Sequence, residues 1–343
     1  MKFLVCGLGS IGQRHVRVLR SLLGDEATIY VHRKRGLDIV INDDMTAIQG
    51  RDPVAHYGLI DEPSFERALE RELDAVLVTN PISMHVETAL AAAERGHNLF
   101  IEKPLGASLD GVERLESLVA RSGLVTHVGY QLRFHPALRL MRELLQEGAI
   151  GDPIAAEVHF GEWLPGMHPY EDYRTSHAAR RDQGGGAILC LSHDIDYATW
   201  LFGLPRVLFA VGGKLSDLEM DVEDTASILM QCGASGRPVP VQVHVDFVQR
   251  VPRRFCRIAG TRGTIAWDYH RNQVTIVDAA GNETERSFPG WQRNDMFRAQ
   301  MAHFIACLGG AERPQIPVSA GAATLRVCLA AKQSLETGKA VTL

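Results

Sequence analysis

The sequence predicts an α/β fold in which a doubly wound parallel sheet is followed by a second domain of the α+β type. The first third of the chain alternates apolar, strand-like segments with amphipathic, helix-like segments, which is typical of a parallel sheet covered by helices. From Gly151 onward, several alternating segments joined by short turns predict a largely antiparallel sheet. A chain of 343 residues also exceeds what one hydrophobic core usually organises, so we expect two domains.

The predicted first domain spans residues 1–124. Its strand candidates are dominated by apolar or β-branched residues and are Lys2–Cys6, Thr28–His32, Ala75–Thr79 and Asn98–Ile101. The helix candidates between and after them are Ile11–Leu23, Ser64–Arg71, Met84–Arg95 and Leu109–Arg121. The segment Val125–Gly129 is either the last strand of this sheet or the link out of the domain.

The predicted second domain spans residues 125–343. Its helix candidates are Pro136–Gln146, a segment from Gly186 to about Phe202, Arg298–Leu308 and Ala320–Glu336. Its strand candidates are Ile154–Phe160, Val207–Gly213, Thr225–Met230, Val239–Phe247, Phe255–Ala259, Gly263–Tyr269 and Gln273–Asp278. The last two helices are candidates for packing back on the first domain.

Charge and cysteine content exclude several classes of protein. The net charge is -5 and the isoelectric point is near 6.3, so nothing favours a nucleic acid or an anionic membrane as partner. The six cysteines show no C-x-x-C pair and mostly lie in apolar runs, which predicts free thiols in a reducing compartment. The apolar run at the N-terminus is too short for a signal peptide, and no stretch is long enough to span a bilayer. We therefore expect a cytoplasmic protein.

A glycine-rich turn follows the first predicted strand. It has the sequence Gly7-Leu8-Gly9-Ser10-Ile11-Gly12 and leads directly into a helix, which is the context in which G-x-G-x-x-G indicates dinucleotide binding. Gly7 permits the tight turn, Gly9 lets the backbone approach a pyrophosphate, and Gly12 lets helix and strand pack closely. Ser10 and Ile11 begin the helix, whose unpaired N–H groups favour the negative charge of the pyrophosphate.

Two further motifs lie later in the chain. Glu102-Lys103-Pro104 follows the fourth predicted strand, at the sheet edge where ligands bind in open α/β folds. Gly184-Gly185-Gly186 leads into a helix that carries polar residues on successive turns, namely Cys190, His193, Asp194, Asp196, Tyr197 and Trp200. The tripeptide alone does not exclude a second interpretation, in which Lys103 is a surface lysine beside a proline that ends a strand.

Together these motifs resemble the glucose–fructose oxidoreductase/inositol dehydrogenase (Gfo/Idh/MocA) family, and the resemblance covers essentially the whole chain. It rests on the glycine turn with Arg14-His15, on Glu102-Lys103-Pro104, and on the triple glycine with the His193 helix. The resemblance implies a Rossmann domain followed by a domain with a large open, mostly antiparallel sheet. It also implies a homodimer or homotetramer formed through that sheet, and a sugar-like small-molecule substrate.

The implied reaction is NAD(P)-dependent hydride transfer at a secondary alcohol of a sugar, cyclitol or sugar nucleotide. By resemblance, Lys103 supplies the cation that stabilises the alkoxide, and His193 is the acid/base. Two other functions remain open at this point. One is a transient-redox epimerase or lyase with tightly bound cofactor, and the other is a catalytically silent nucleotide-binding sensor.

Several residues on the His193 helix are candidates for assisting this histidine. Asp194 or Asp196 could orient its imidazole, and Asp196 lies three residues away on the same helical face. Many family members carry an aspartate one turn before the histidine, where this chain has Cys190, and this difference favours the silent sensor. No metal is expected, because His193 and the two aspartates lack both the helical spacing and a fourth ligand.

The predicted cofactor is NADP rather than NAD. The second strand runs into His32 and Arg33, with no carboxylate to bind a ribose 2′-hydroxyl, and Arg33 suits a 2′-phosphate; a solvated basic loop is the alternative. Further residues expected to contact the cofactor lie at strand ends near the predicted crevice, and they are Asn80, Pro81, His85, Glu102, Lys103 and Gln131.

The substrate residues are predicted from their place near the crevice. The candidates include Lys103 and His193. Arg133 is a third candidate, because it follows the last strand of the first domain. Trp163, Tyr173 and Arg174 lie in a long polar and aromatic loop of the kind that binds substrates, although such a loop is equally suited to packing on an oligomer partner. Arginines there would suit a carboxylate or phosphate on the substrate.

Overall fold

The first sheet is parallel and six-stranded. The computed structural model describes residues 1–36, 38–233 and 237–343. The strands of the N-terminal part are β1 (Lys2–Cys6), β2 (Thr28–His32), β3 (Ile39–Ile41), β4 (Ala47–Gln49), β5 (Ile60–Asp61), β6 (Ala75–Val78), β7 (Asn98–Ile101) and β8 (Thr126–Val128). Six of them form the sheet in the order β5-β2-β1-β6-β7-β8, while β3 and β4 form a separate antiparallel pair. The doubly wound fold is therefore confirmed.

Five helices belong to this part of the chain: α1 (Ser10–Leu23), α2 (Pro53–Tyr57), α3 (Phe65–Leu69), α4 (His85–Glu94) and α5 (Val112–Ser122). The central strands are apolar and buried on both faces, as a sheet between two helix layers requires. The sheet also contains β8, which pairs in parallel with β7. The predicted segment Val125–Gly129 thus contains the last strand of this sheet, one of the two expected alternatives, and the domain boundary at residue 124 stays a prediction.

The second sheet is nine-stranded and mostly antiparallel. Its strands are β9 (Pro153–Gly161), β10 (Pro205–Gly213), β11 (Thr225–Cys232), β12 (Val239–Asp246), β13 (Arg253–Gly260), β14 (Gly263–Asp268), β15 (Gln273–Val277), β16 (Glu283–Ser287) and β17 (Val341–Thr342). Their order is β16-β15-β14-β13-β9-β12-β11-β10-β17. In the part of the sheet that the structure describes, β9 and β12 pair in parallel and the other neighbours are antiparallel.

Helices cover one face of this sheet and leave the other face open. The helices of this part of the chain are α6 (Pro136–Gln146), α7 (Leu164–Met167), α8 (Ala187–Cys190), α9 (His193–Phe202), α10 (Arg293–Leu308) and α11 (Val318–Thr337), and of these α6, α8, α9 and α11 pack on the sheet. The single helix predicted from Gly186 to Phe202 is interrupted at Leu191 and Ser192. As expected of the closing helices, α10 and α11 also contact the first domain, for example through Arg298 and Ser21 and through Arg326 and Glu116.

All six cysteines are buried and free, as their spacing predicts. Among the described residues, no helix combines the length and the apolar character that crossing a membrane requires. The cytoplasmic location stays a prediction.

Candidate active site

The glycine turn has the geometry that a dinucleotide pyrophosphate needs. Gly7 has a φ of +104°, and a Cβ atom there would lie 2.8 Å from the Thr79 carbonyl oxygen. A Cβ atom at Gly12 would lie 2.1 Å from the Gly7 carbonyl oxygen, so α1 can pack against β1 only with glycine at this position. A Cβ atom at Gly9 would meet nothing within 4 Å, which leaves space beside the turn. These glycines therefore fit the expected cofactor.

The N-terminus of α1 supplies donors to the same space. The first helical hydrogen bond runs from the Gln13 N–H group to the Gly9 carbonyl at 2.9 Å, so the N–H groups of Ser10, Ile11 and Gly12 have no acceptor within the helix. The first turn carries no acidic residue that would repel a phosphate. Tyr170 of the second domain lies beside Ser10, and burial raises the pKa of its hydroxyl to about 12.

The Glu102 side chain is buried, and protein groups bind its carboxylate. One of its carboxylate oxygens lies 2.6 Å from His15 Nε2, and the other accepts a 3.1 Å hydrogen bond from the Lys103 N–H group. A Cβ atom at Gly129 would lie 2.9 Å from this carboxylate, so the side chain fills a tight space. The Glu102 carboxylate therefore links the end of β7 to α1, and a contact between Glu102 and the cofactor stays a prediction.

Asn80, Pro81 and His85 form a second turn beside Gly7. The ring nitrogens of the buried His85 lie 2.8 Å from the carbonyl oxygens of Asn80 and Pro104. The Asn80 amide donates to Thr88, while its buried Oδ1 has no hydrogen-bond partner. His85 thus connects two turns at the edge of the sheet instead of presenting its ring to a ligand.

Lys103 lies between the two domains. Its Nζ donates a 2.6 Å hydrogen bond to the Cys190 carbonyl, which is free of helical hydrogen bonding because α8 ends there. Burial lowers the pKa of this ammonium, and the negative charges of Glu102 and Asp194 oppose the shift. The contact is made by the Cys190 backbone, and burial raises the pKa of the Cys190 thiol to about 11. The absence of an aspartate at position 190 therefore leaves this contact of Lys103 intact.

His193 is the first residue of α9 and is buried beside Lys103. Its Nε2 lies 3.2 Å from the Gln131 amide nitrogen, whereas its Nδ1 has no hydrogen-bond partner. Burial lowers the pKa of His193 well below its usual value, and the positive charges of Lys103 and Arg254 lower it further. The imidazole is therefore neutral at neutral pH, as a general base requires. Gln131, predicted to bind cofactor, is a neighbour of this histidine.

Neither aspartate of α9 contacts His193, contrary to expectation. Asp196 instead binds Arg133 through two hydrogen bonds of 2.8 and 2.7 Å and also accepts one from Thr324. Asp194 binds Arg254 at 2.8 Å. The Arg133 guanidinium is buried against Asp196, which does not support a role in substrate binding, and that role stays a prediction. The Arg133 and Asp196 pair links the turn after β8 to α9.

Arg254 is a site residue that the sequence analysis missed. It lies on β13 opposite Phe160 of β9, with its guanidinium 3.5 Å from the centre of the Phe160 ring and bonded to Asp194. Its side chain is only 10% exposed, whereas Arg253 and Arg257 on the opposite face are exposed. In a strand, neighbouring side chains point to opposite faces, so Arg254 must point away from Arg253. This alternation could have shown from the sequence that Arg254 faces inward.

The remaining substrate candidates lie in the loop between β9 and α8. Trp163 and Tyr173 line a cavity of about 500 Å³ together with Arg250, whose guanidinium stacks 3.4 Å from the Trp163 ring centre. The Tyr173 hydroxyl accepts a hydrogen bond from the Glu219 N–H group. Arg174 is half exposed and paired with Asp172 and Glu219. Among the described contacts, none joins these three residues to Lys103 or His193.

Comparison with known families agrees with this geometry. Residues 1–130 match the model of an oxidoreductase family with an NAD-binding Rossmann fold, and residues 138–266 match the model of a GFO/IDH/MocA C-terminal domain. The chain belongs to the Gfo/Idh/MocA oxidoreductase family. This confirms the predicted family, enzyme class and fold, and it identifies the glycine turn as part of a nicotinamide dinucleotide domain.

Similar proteins in this family act on cyclitols or sugars. The scyllo-inositol 2-dehydrogenase (NAD(+)) of Bacillus subtilis is 27% identical, over 82% of this chain and 81% of its own length. The myo-inositol 2-dehydrogenase of Thermotoga maritima is 26% identical, over 100% of this chain and 98% of its own. The structure of the WlbA dehydrogenase of Bordetella pertussis with NADH and UDP-GlcNAcA superposes with a TM-score of 0.80 at 19% identity, covering 100% and 98% of the two chains.

The expected preference of this Gfo/Idh/MocA protein for NADP is not supported. Arg33 does not present a free guanidinium at the end of β2, because its side chain is 15% exposed and forms ion pairs with Asp52 at 3.0 Å and Asp61 at 3.8 Å. His32 is likewise engaged, with its Nδ1 3.0 Å from the Glu62 carbonyl oxygen. The family match still supports binding of a nicotinamide dinucleotide.

Proposed function

We propose that the enzyme transfers a hydride between NAD and a secondary alcohol, or the matching ketone, of a cyclitol or sugar. The observation that carries this proposal is that the Lys103 ammonium, after β7, and the neutral imidazole of His193, on α9, are close enough for the lysine charge to lower the pKa of the histidine. Oxidation of a CH–OH group requires a cation near the oxygen and a base for its proton, and these two side chains supply both.

Each side chain has a distinct task in this reaction. The bound nicotinamide supplies the hydride acceptor. The Lys103 ammonium, held by the Cys190 carbonyl, donates a hydrogen bond to the substrate oxygen and stabilises its negative charge. His193 takes the hydroxyl proton at Nε2, which must release its 3.2 Å contact with the Gln131 amide nitrogen to do so. In the reductive direction, the protonated His193 returns this proton to the substrate oxygen, and Lys103 keeps its hydrogen bond to that oxygen.

The substrate class is tested directly by nicotinamide absorbance at neutral pH. We expect NAD reduction with at least one compound from a panel of inositols, free pyranoses, uronic acids and UDP-sugars, since the similar dehydrogenases act on such polyols. A Lys339→Ala variant, altered at an exposed position, serves as the matched control for preparation and folding. Absence of any chemical change in the whole panel contradicts the proposal.

A transient-redox epimerase or lyase is the second candidate, and the position of Tyr170 favours it. This residue of the second domain lies against Ser10, so its loop reaches over the glycine turn where a cofactor would be retained. Such an enzyme would purify with bound dinucleotide and convert substrate without a net absorbance change. Product analysis by NMR in the same panel separates the two candidates.

We further propose NAD as the cofactor, because Arg33 is already paired with Asp52. In Arg33→Ala, we expect the ratio of kcat/KM with NAD to kcat/KM with NADP to change by less than about fivefold, because the substitution removes only one ion pair near the surface. Asp52→Asn should free Arg33 and improve NADP use, while an asparagine still caps α2 as Asp52 does. If Arg33→Ala loses tenfold or more of its activity with NADP, then Arg33 binds the 2′-phosphate and NADP is the cofactor.

The low pKa of His193 predicts the pH dependence of alcohol oxidation. Because burial holds this imidazole neutral, the rate should stay level as the pH falls through 6.5 and should decline only at more acidic pH. On the alkaline side, burial lowers the pKa of Lys103, so the rate should decline below the ordinary lysine value of 10.5. His193→Gln should remove the acidic limb, and an acidic limb centred at or above 6.5 contradicts the assignment.

We also propose that the chain forms a homodimer or homotetramer through the open face of its large sheet. Phe209 and Leu229 pair across β10 and β11 on that face and are 40% and 54% exposed, with Val211 nearby at 53%. An apolar patch of this kind usually marks a protein interface. Sedimentation velocity is expected to show an oligomer that Leu229→Glu shifts toward monomer, and a monomeric wild-type chain contradicts the proposal.

A further inference from the structure

Two histidines and one aspartate meet at the open face of the large sheet, away from the redox residues. His159 of β9 lies directly opposite His244 of β12, so both side chains project from the same face. Asp246 follows two residues after His244 on the same strand and therefore shares that face. This arrangement gathers three side chains that can bind a metal from two neighbouring strands.

The ligand atoms are close together and incompletely paired. The candidate ligand atoms of the three residues all lie within 4.8 Å of one another, and His244 Nε2 is 3.0 Å from Asp246 Oδ2. His159 Nε2 is buried and has no hydrogen-bond partner, and its ring stacks on that of His244 with the centres 4.9 Å apart. A buried imidazole nitrogen without a partner is costly unless a ligand uses its lone pair.

Surrounding residues orient two of the three ligands. Ser227 Oγ lies 2.7 Å from His244 Nδ1, so that Nε2 is left to face the centre of the cluster. Asp246 Oδ1 accepts hydrogen bonds from the N–H groups of Val248 and Gln249, and Gln249 Nε2 donates to Oδ2. Hydrogen bonds of this kind fix ligand orientation in known metal sites.

The charge state of the cluster also suits a cation. Burial lowers the pKa of His159, with the charges of His244 and Arg253 adding to the effect and those of Asp246 and Glu157 opposing it. Hydrogen bonds from His244, Val248 and Gln249 lower the pKa of Asp246 in spite of its burial. Neutral imidazoles and an ionised carboxylate are the forms that bind metals.

We propose that His159 Nε2, His244 Nε2 and Asp246 Oδ2 bind a divalent transition metal such as Zn²⁺. Two imidazoles with one carboxylate are typical of zinc and related ions, and they do not suit Mg²⁺. Metal–ligand bonds of about 2.0–2.2 Å require the ligand atoms, which now lie within 4.8 Å of one another, to move closer together when the metal binds. The fourth position lies on the open face of the sheet and is available to a water or another small ligand. All three ligands belong to one chain, so the site does not depend on oligomer formation or on the proposed reaction.

Cobalt binding to the intact full-length chain tests this site. After removal of metals with a chelator, titration with Co²⁺ is expected to give one equivalent per chain and the visible absorption bands of a four-coordinate ion. His159→Gln and His244→Gln should each weaken binding by at least about tenfold, and Ser227→Ala should weaken it to a smaller degree. Thermal unfolding without metal establishes that each variant is folded.

A second cluster serves as the matched control, because His303 contacts both Cys307 and Glu312. Cys307→Ser is expected to leave Co²⁺ binding unchanged. The proposal is overturned if the wild-type chain binds no Co²⁺, if the two histidine variants bind as tightly as the wild type, or if Cys307→Ser abolishes the signal. Ser227→Ala keeps all three ligands. Its effect on Co²⁺ binding can therefore be measured even if one of the histidine variants does not fold.

Discussion

Lys103→Ala is expected to lower the rate of hydride transfer by at least about 10²-fold, the usual effect of removing a group that stabilises an oxyanion. The Lys103 ammonium is the cation that the structure places between the two domains, and the Cys190 carbonyl holds it at 2.6 Å. Dinucleotide affinity should change little, because the glycine turn and the N-terminus of α1 do not depend on this side chain.

Two measurements separate a catalytic effect from a structural one. Single-turnover absorbance gives the rate of hydride transfer, and fluorescence titration gives the dinucleotide affinity. Lys103→Met keeps the aliphatic stem and should lose as much activity as the alanine variant, whereas the exposed control Lys339→Ala should retain it. Activity within tenfold of the wild type in Lys103→Met would mean that the ammonium is not the group that stabilises the alkoxide.

Local sequence patterns predicted the elements that surround the site. The bounds of β1, β2, β7 and α6 agree with the predicted segments, because each is a continuous apolar or amphipathic run with a clear stop. The glycine turn was predictable for a similar reason, since its spacing and neighbouring elements are both local properties. The short strand β5 was missed, because two residues carry no periodic pattern.

Contacts between distant segments could not be predicted in this way. Arg33 was expected to face a phosphate, but Asp52 and Asp61 approach it from α2 and β5, and the sequence pattern does not place them there. Asp196 shares a helical face with His193 in principle, yet Arg133, 63 residues earlier, is the group that it binds. Arg254 reaches the site only because β13 pairs with β9. Pairings of this kind depend on tertiary packing.

The buried ion pair of Arg133 and Asp196 should contribute strongly to the stability of the protein. Arg133→Ala is expected to lower the free energy of unfolding by about 3–5 kcal/mol, because it leaves the carboxylate of Asp196 buried without its partner. Denaturant unfolding followed by circular dichroism measures this change. Arg174→Ala is the matched control: it removes a half-exposed arginine from a solvent-screened ion pair with Asp172 and should change the free energy of unfolding far less.

A double-mutant cycle tests the reason for the loss. Asp196→Ala should also be strongly destabilising, since it leaves the Arg133 guanidinium buried, but Arg133→Ala combined with Asp196→Ala should cost clearly less than the sum of the single changes. Additive effects would mean that packing, including the contact of Arg133 with Trp200, dominates instead of charge.

The pair joins the turn that carries Gln131 to the helix that carries His193. Activity in a folded single variant should therefore decline together with stability, because Gln131 and His193 lose their fixed separation.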